Sequence, residues 1–407
     1  MERIICSNIA IETSHFVKFD VIVDDYGKVI LLPLLWSIQI NNTGTVFSWS
    51  KRGTFGNLGG RTQRHKPSIV ENIFDSHPVS PNTIKNYVGH LFNFLKYINE
   101  LHKTNKTPSV HNSELISSNF INNYLNYVLP ERLNSSASLV AHQAAISAYF
   151  NFIYELEIKD FVNSSIFRKT NQYMAEKDCR PKKINYVSKA ERSALLMVAN
   201  NVRDRLIIRT GFEVGLRTEE NLGLVLSGHK AKFESHKGLL EIFEELDDYP
   251  LKDTFDFVLN GKYTKRGVTR TIYFKKDLLT AMKRYYDTER YAAVLSSKQS
   301  HDTLFVRLDN EGIGLPICEG QGSNVFTKLR LQCPFINEKL SYHDLRHSFA
   351  TELYHAELAD SSGQETRSES AALIVVAERL GHQNITSTIR YIRLRQQMIM
   401  IENAPFE

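Results

Sequence analysis

Apolar side chains recur every three or four positions after residue 80: Ile84, Tyr87, Val88, Leu91, Phe92, Leu95 and Ile98. That spacing is one stripe of an amphipathic helix. Ser80-Pro81 supplies its start, a serine for the N-cap and a proline for the first turn. A second helix is predicted from Asn119 through Tyr124, Leu125 and Val128 to Pro130, and a third from Ser136 through Leu139, Ala144, Ile146, Tyr149, Phe150 and Ile153. Ahead of this bundle the period changes to two. Val17, Phe19, Val21 and Val23 alternate with Lys18, Asp20 and Ile22. Asp24-Asp25-Tyr26-Gly27 then gives turn chemistry and Val29-Ile30-Leu31-Leu32 returns, so a β-hairpin is predicted over residues 16–32. In the second half, Ser188 with Glu191 is a capping-box pattern opening a helix through Leu195, Leu196 and Val198. A further helical stretch covers residues 203–211, residues 255–260 and 269–274 read as two strands around the loop 261–267, and Ser341-Tyr342-His343 opens another helix. The expected class is mainly α with a small antiparallel β-sheet (α+β).

This organisation predicts four segments: residues 1–75 with the hairpin and a basic glycine-rich stretch, 76–166 as a helical domain, 167–186 as a basic linker, and 187–407 as a C-terminal domain ending in a tail. The 407 residues suffice for two or three domains, and a hydrophobic fraction of 42% with 23% charged residues is ordinary for a soluble protein. Fifty Lys and Arg against 45 Asp and Glu leave a net charge of +5. That mild excess fits a nucleic-acid partner without requiring one. Its distribution says more. Residues 51–66 hold Lys51, Arg52, Arg61, Arg64, Lys66 and four glycines with no acid, which suits either a solvated loop or a segment touching phosphate. The linker carries Arg180, Lys182 and Lys183 beside Pro181, which suits lying along DNA or simple exposure. Four scattered cysteines with no C-x-x-C pair argue against a zinc ribbon or a disulfide framework. The N-terminus lacks the apolar core of a signal peptide, and the most apolar run, residues 29–40, is too short to span a bilayer, so a soluble intracellular protein is expected.

The residues with chemical potential fall in four clusters: Gly215-Leu216-Arg217-Thr218-Glu219-Glu220, Gly261-Lys262, His343-Asp344-Leu345-Arg346, and Leu380-Gly381-His382 followed by Tyr391. Cleaving a phosphodiester places negative charge on non-bridging oxygens. Two arginines from separate segments, Arg217 and Arg346, can clamp such a group with planar forks. Glu220 reads as their orienting partner. His343 and His382 can donate to phosphate oxygens or move a proton. A lysine near other cations can protonate a leaving oxygen, and Lys262 and Lys265 both qualify. A tyrosine hydroxyl attacks phosphorus when neighbouring cations stabilise the charge that develops. This set suits strand cleavage without metal.

Arg217, Lys262, His343-x-x-Arg346, Leu380-Gly381-His382 and Tyr391, in this order, resemble the tyrosine recombinase (phage integrase) family over about residues 188–395. The resemblance implies a C-shaped clamp, with an N-terminal helical DNA-binding domain joined to a helix-rich catalytic domain. It implies Tyr391 as nucleophile, Arg217, His343, Arg346 and His382 as transition-state stabilisers, and Gly261-Lys262 as the acid position. It also implies a 3′-phosphotyrosyl intermediate formed with neither metal nor ATP nor any other cofactor. The expected partners are double-stranded DNA, three further copies in a homo-tetramer joined by exchange of the C-terminal tail, and accessory DNA-bending proteins. The expected location is the cytoplasm, with the nucleoid when bound to DNA. A type IB topoisomerase-like enzyme, a telomere resolvase and a non-catalytic DNA-binding protein are the alternatives. The chain departs from the family in having Tyr263 after Lys262, which leaves Lys265 open. It also has longer spacings whose excess, residues 228–256 and 360–370, reads as surface insertions.

Overall fold

The computed structural model describes residues 1–12, 15–54, 69–104, 108–133, 135–158, 185–231, 234–297, 300–358, 367–382 and 388–403. The chain divides into two compact units, Met1–Lys182 and Lys183–Glu407. Both are mainly helical with two-stranded antiparallel sheets, as the periodicity predicts.

In the first unit, β1 (Glu2–Glu12) pairs with β2 (His15–Val23), with Glu2 opposite Val23 and Ile4 opposite Val21. The expected hairpin partner was residues 29–32. These instead lead into α1 (Leu31–Thr43), and only a single bridge, Val23 to Val29, remains of that pairing. The reason is the spacing that follows: Pro33, Trp36, Ser37 and Ile40 recur at helical intervals and are buried together. Gly44, with φ +65°, ends the helix and returns its N–H to the Ile40 carbonyl. β3 (Thr45–Thr54) and β4 (Ile69–Pro78) form a second hairpin. The basic glycine-rich stretch from residue 51, which suited a solvated loop or a segment touching phosphate, therefore begins as strand. Lys51 and Arg52 stand opposite Asn72 and Glu71 in register, and Arg61, Arg64 and Lys66 lie outside the described residues.

The helices follow. α2 (Pro81–His102) starts as expected, with the Ser80 hydroxyl accepting from the Thr83 N–H at 3.2 Å, and buries Ile84, Val88, Leu91, Phe94, Leu95 and Ile98. The second expected helix is divided into α3 (Ser118–Asn123), a π-turn at Tyr124–Val128 and α4 (Leu129–Arg132). α5 (Ser136–Glu155) is the central helix, capped by Ser135. One hydrophobic core joins Ile22, Ile30, Trp36, Ile40 and Val46 from the first 75 residues to Val88, Leu95, Leu125, Ile146 and Phe150 of the bundle. Trp36 meets Tyr149 edge-to-face at 5.6 Å. The predicted linker, with Arg180, Lys182 and Lys183, lies mostly outside the described residues.

In the second unit, α6 (Lys189–Val198) carries the expected capping box, and α7 (Val202–Arg209) runs into a π-turn ending at Gly215. A short hairpin, β5 (His229–Ala231) with β6 (Glu234–His236), precedes α8 (Leu239–Asp248). This stretch was expected to be a surface insertion. In fact α8 sinks Leu239, Ile242, Phe243 and Leu246 into the main core, because those four residues make a complete helical stripe. β7 (Thr254–Leu259) pairs with β8 (Arg270–Lys275), the expected second pair of strands. α9 (Lys276–Tyr285), α10 (Tyr291–Ser297), α11 (Gln321–Arg330) and α12 (Tyr342–Leu358) continue the unit. α13 (Glu369–Leu380) and α14 (Arg390–Glu402) close it. Of the other expected insertion, residues 359–366 lie outside the described set. The tail, expected to need a surface on another copy, finds one in its own unit. Leu394 and Met398 are buried against Tyr354, Leu358 and Val376, and the Glu402 carboxylate accepts from the Tyr186 hydroxyl and the Lys189 N–H, each at 3.0 Å. Among the described residues no helix is long and apolar enough to cross a membrane.

His142 on α5 is 4% exposed and lies against His90 of α2, with ring centroids 4.0 Å apart and the planes tilted by 40°. Burial, then the neighbouring His90, pushes His142 down from 6.5 to about 4. As pH falls, the unfolded chain takes up this proton first. The stability contributed by the neutral ring is therefore complete above about pH 6.5 and is lost progressively towards pH 4. The chain's two tryptophans, Trp36 and Trp49, are both in this unit, so their fluorescence reports its unfolding alone. Between pH 7 and 5 the unit should lose on the order of 2 kcal/mol through His142, a loss that His142→Phe should remove. Equal pH slopes for the two proteins would show that His142 keeps one protonation state on unfolding.

Candidate active site

The C-terminal unit carries a carboxylate with no solvent access, Glu220, on the short 3₁₀ turn that follows the first motif. Three guanidinium groups converge on it. Arg217 Nη1 donates to Oε1 at 2.7 Å and its backbone N–H to Oε2 at 2.8 Å. Arg270 donates from both terminal nitrogens, Nη1 to Oε1 at 2.7 Å and Nη2 to Oε2 at 2.8 Å. Arg346 Nη1 lies 3.4 Å from Oε2. Burial by itself would favour the neutral acid and is the largest influence. The Arg270 hydrogen bonds and the charges of Arg346, Arg270 and Arg217 outweigh it and hold Glu220 at about 2.

Arg346 is 1% exposed, and two backbone carbonyls also hold it: Gly215 O accepts from Nη1 and Leu380 O from Nη2 at 2.6 Å. Both carbonyls are presented by left-handed turns. Gly215 has φ +74°, and a Cβ there would stand 2.4 Å from the Phe349 ring, so glycine is required twice over. Gly381, at φ +65°, closes α13 in the same way, with the His382 N–H returned to the Ala377 carbonyl at 2.8 Å. The first and last motifs are thus fastened to one side chain. Burial, partly opposed by Glu220, pushes that guanidinium down to about 9, so it is charged at neutral pH.

His343 stays exposed in the first turn of α12. The protein around its ring, then the charges of Arg346 and Arg217, lower it to about 4. His382 accepts or donates at Nδ1 with the Thr388 hydroxyl at 3.0 Å, and burial and then Arg346 lower it to about 3. Its ring lies parallel to that of Tyr391, with centroids 6.4 Å apart. Tyr391 is 1% exposed, and burial raises its phenol above the ordinary value against the pull of Arg346, Arg390 and Arg217. Its hydroxyl is 3.2 Å from Nδ1 of His347, one turn beyond His343. Burial, then His343, drives His347 down to about 2, so the ring is neutral and Nδ1 can accept the phenol hydrogen bond.

The structure therefore brings Arg217, Glu220, Arg346, His343, His382 and Tyr391 into one unit around shared contacts. Lys262 is placed differently. It sits on the 3₁₀ turn Gly261–Tyr263 between β7 and β8, exposed, with its ammonium 5.4 Å from the Tyr263 ring centroid. Gly261 is fixed by crowding, because a Cβ would lie 2.2 Å from the Gly267 carbonyl oxygen. Lys265 is exposed on the next 3₁₀ turn, Lys265–Gly267, and among the described residues neither lysine is hydrogen-bonded to the Glu220 group. Two residues were missed by the motif reading. Arg270 shares the buried face of β8 with Ile272 and Phe274, and an arginine in phase with an apolar strand face was a readable signal. His347 follows His343 by four residues, the spacing that puts both on one helix face. Arg270 also leaves its Nε–H buried without a partner among the described residues, a cost of about 1–3 kcal/mol that its other two nitrogens offset.

Residues 185–398 match the phage integrase family. Transposase A from transposon Tn554 of Staphylococcus aureus is 25% identical over 219 residues, which are 54% of this chain and 51% of the transposase. The chain thus spans about half the length of the curated relatives it matches. Among solved structures, a XerH site-specific recombinase bound to palindromic difH substrate is 18% identical, with a TM-score of 0.49 covering 78% of each chain. A lambda integrase (75–356) dimer bound to a COC′ core site is 14% identical, with a TM-score of 0.44 covering 77% of this chain and 89% of the other.

Glu220→Ala should leave three guanidiniums facing each other without their shared counter-charge. Breaking a buried pair in this way costs about 3–5 kcal/mol. Guanidinium chloride titrations of the C-terminal unit should show that loss as a lower midpoint at an unchanged slope. A loss below about 1 kcal/mol would mean that water replaces the carboxylate at little cost.

Proposed function

The chain belongs to the phage integrase family, and from that premise we propose that it is a site-specific DNA recombinase acting through a covalent phosphotyrosine. The observation that carries this reading is the placement of a buried tyrosine hydroxyl in the same site as a cluster holding three guanidinium charges and one carboxylate. Such a cluster keeps a net charge of +2 for a phosphodiester. Tyr391 Oη attacks phosphorus, the bond to the 5′ oxygen breaks, and a 3′-phosphotyrosyl link and a free 5′-hydroxyl result. Arg217 and Arg346 meet the non-bridging oxygens, with His343 and His382 as further donors. His347 orients the phenol. An imidazole held near 2 can accept its hydrogen bond and pass its proton on to water as the oxygen bonds to phosphorus, without retaining it. Lys262, on its exposed turn, swings in to protonate the 5′ oxygen. Attack by the 5′-hydroxyl of another strand reverses the step and conserves bond energy.

The substrate on this reading is double-stranded DNA, contacted through phosphate by Lys51, Arg52, Arg61, Arg64, Lys66, Arg180, Lys182 and Lys183. Exchange between two duplexes calls for four active centres. The assembly is therefore a tetramer, joined on DNA through the tail that follows Tyr391, with accessory DNA-bending proteins at the site. The working location is the cytoplasm, on the nucleoid. Tyr391→Phe should bind DNA and form no adduct resistant to denaturant. An adduct that persists in the variant would move the nucleophile to another tyrosine.

The acid can be assigned separately. A lost general acid costs about 10²–10⁴-fold in rate. A substrate with sulfur at the 5′ bridging position needs no proton on leaving. It should restore Lys262→Ala and leave Arg346→Ala slow, whereas restoration of Lys265→Ala alone would give the role to Lys265.

A further inference from the structure

Arg270 belongs to none of the motifs, yet it takes both oxygens of Glu220, at 2.7 and 2.8 Å. It is 8% exposed and opens β8, the strand that leaves the Lys262 turn. Its stem runs along the other end of the site: a Cβ on Gly381 would stand 3.0 Å from Arg270 Cδ. The same strand makes a second contact with that end, where the Arg379 guanidinium lies 3.6 Å from the centroid of the Tyr273 ring. So β8 touches the buried carboxylate, the turn bearing Lys262 and the turn bearing His382.

These contacts divide the work among the three arginines. Arg217 is 21% exposed and gives Glu220 one side-chain bond, and Arg346 approaches the carboxylate only at 3.4 Å. Arg270 alone forms the two-point fork that fixes the plane of a carboxylate. We propose that Arg270 is a positioning residue, which by fixing the plane of Glu220 leaves the uncommitted N–H groups of Arg217 and Arg346 for phosphate and ties the Lys262 hairpin to the His382 turn. It acts through Glu220 and does not touch the DNA. For its consequence in catalysis, the proposal rests on the recombinase reading above.

The test uses the full chain with Arg270→Met, Arg270→Lys, Glu220→Gln and the double variant Arg270→Met/Glu220→Gln. Without DNA, side-chain carbon NMR of labelled glutamates, with the Glu220 signal identified by its loss in Glu220→Gln, follows its titration. Arg270→Met should move the midpoint up by about 1–3 pH units. An unmoved midpoint overturns the proposal. With a pool of nicked duplexes of randomised sequence as probe, from which the members captured by the wild type are recovered and reused, adduct formation at pH 7 should slow about 100-fold in Arg270→Met, the loss expected when reacting groups are displaced by an ångström. The acid limb of its pH–rate profile should begin at a higher pH than in the wild type. Arg270→Lys, which keeps the charge without the fork, should recover part of the rate. The double variant should be no slower than Arg270→Met, and multiplying losses would place Arg270 on the DNA and sink the proposal. Should Arg270→Met fail to fold, Arg270→Lys and the double variant carry the same comparison. A wild type that forms no adduct while Glu220 titrates as expected would overturn the recombinase reading and leave the Arg270–Glu220 coupling standing.

Discussion

One ionised carboxylate, shut away from water, organises the C-terminal unit. Burying a charge is tolerable only when partners replace its hydration, and Glu220 has three guanidiniums and a backbone N–H to do so. Each partner arrives from a different part of the chain: the end of the α7 turn, the start of β8 and the first turns of α12. Satisfying Glu220 therefore fixes where three separate elements meet. Arg346 extends the constraint to a fourth, since its other terminal nitrogen is held by the carbonyl of Leu380 at the end of α13.

The same positive charge governs the titratable groups around it. His343, His347 and His382 are all pushed below the ordinary imidazole range, by loss of hydration first and by the charged and imidazole groups around them after that. At rest the imidazoles are neutral donors or acceptors, and the fixed charge of the site resides in its arginines. A phosphodiester entering such a site would meet dipoles and charges already oriented, with no reorganisation left to do at the moment of reaction. The tyrosine is kept in the opposite condition, a neutral phenol in a buried pocket, so ionising it in advance of a phosphate is unfavourable.

The first unit shows how a local pattern can be right in kind and wrong in partner. Residues 16–23 do form a strand, but β1 claims it. Two-residue alternation identifies a strand without specifying its neighbour, and the choice fell to the helical stripe that draws residues 31–43 into α1. The two N-terminal hairpins are also joined to the bundle by one core, through Trp36, Tyr149 and the Asn151 amide bonded to the Phe47 carbonyl.

What the sequence determined by itself was whatever depends on neighbours in the chain. The stripe of α2, the cap at Ser80, the Ser188 capping box and the strands β7 and β8 are local, and they stand where the spacing put them. The motif residues were legible for a related reason: two of the motifs carry glycines that the turns at Gly215 and Gly381 require. Tertiary structure alone decided which groups touch. Arg270 is 50 residues from Glu220, and His347 is 44 from Tyr391. Contacts at such separations are set by how whole elements pack, and no pattern within a single element encodes them. The last helix shows the same limit. Its apolar face announced that it must be covered, and only the packed chain shows Tyr354, Leu358 and Val376 of its own unit covering it, because hydrophobic burial fixes how much surface is hidden and leaves open which surface hides it.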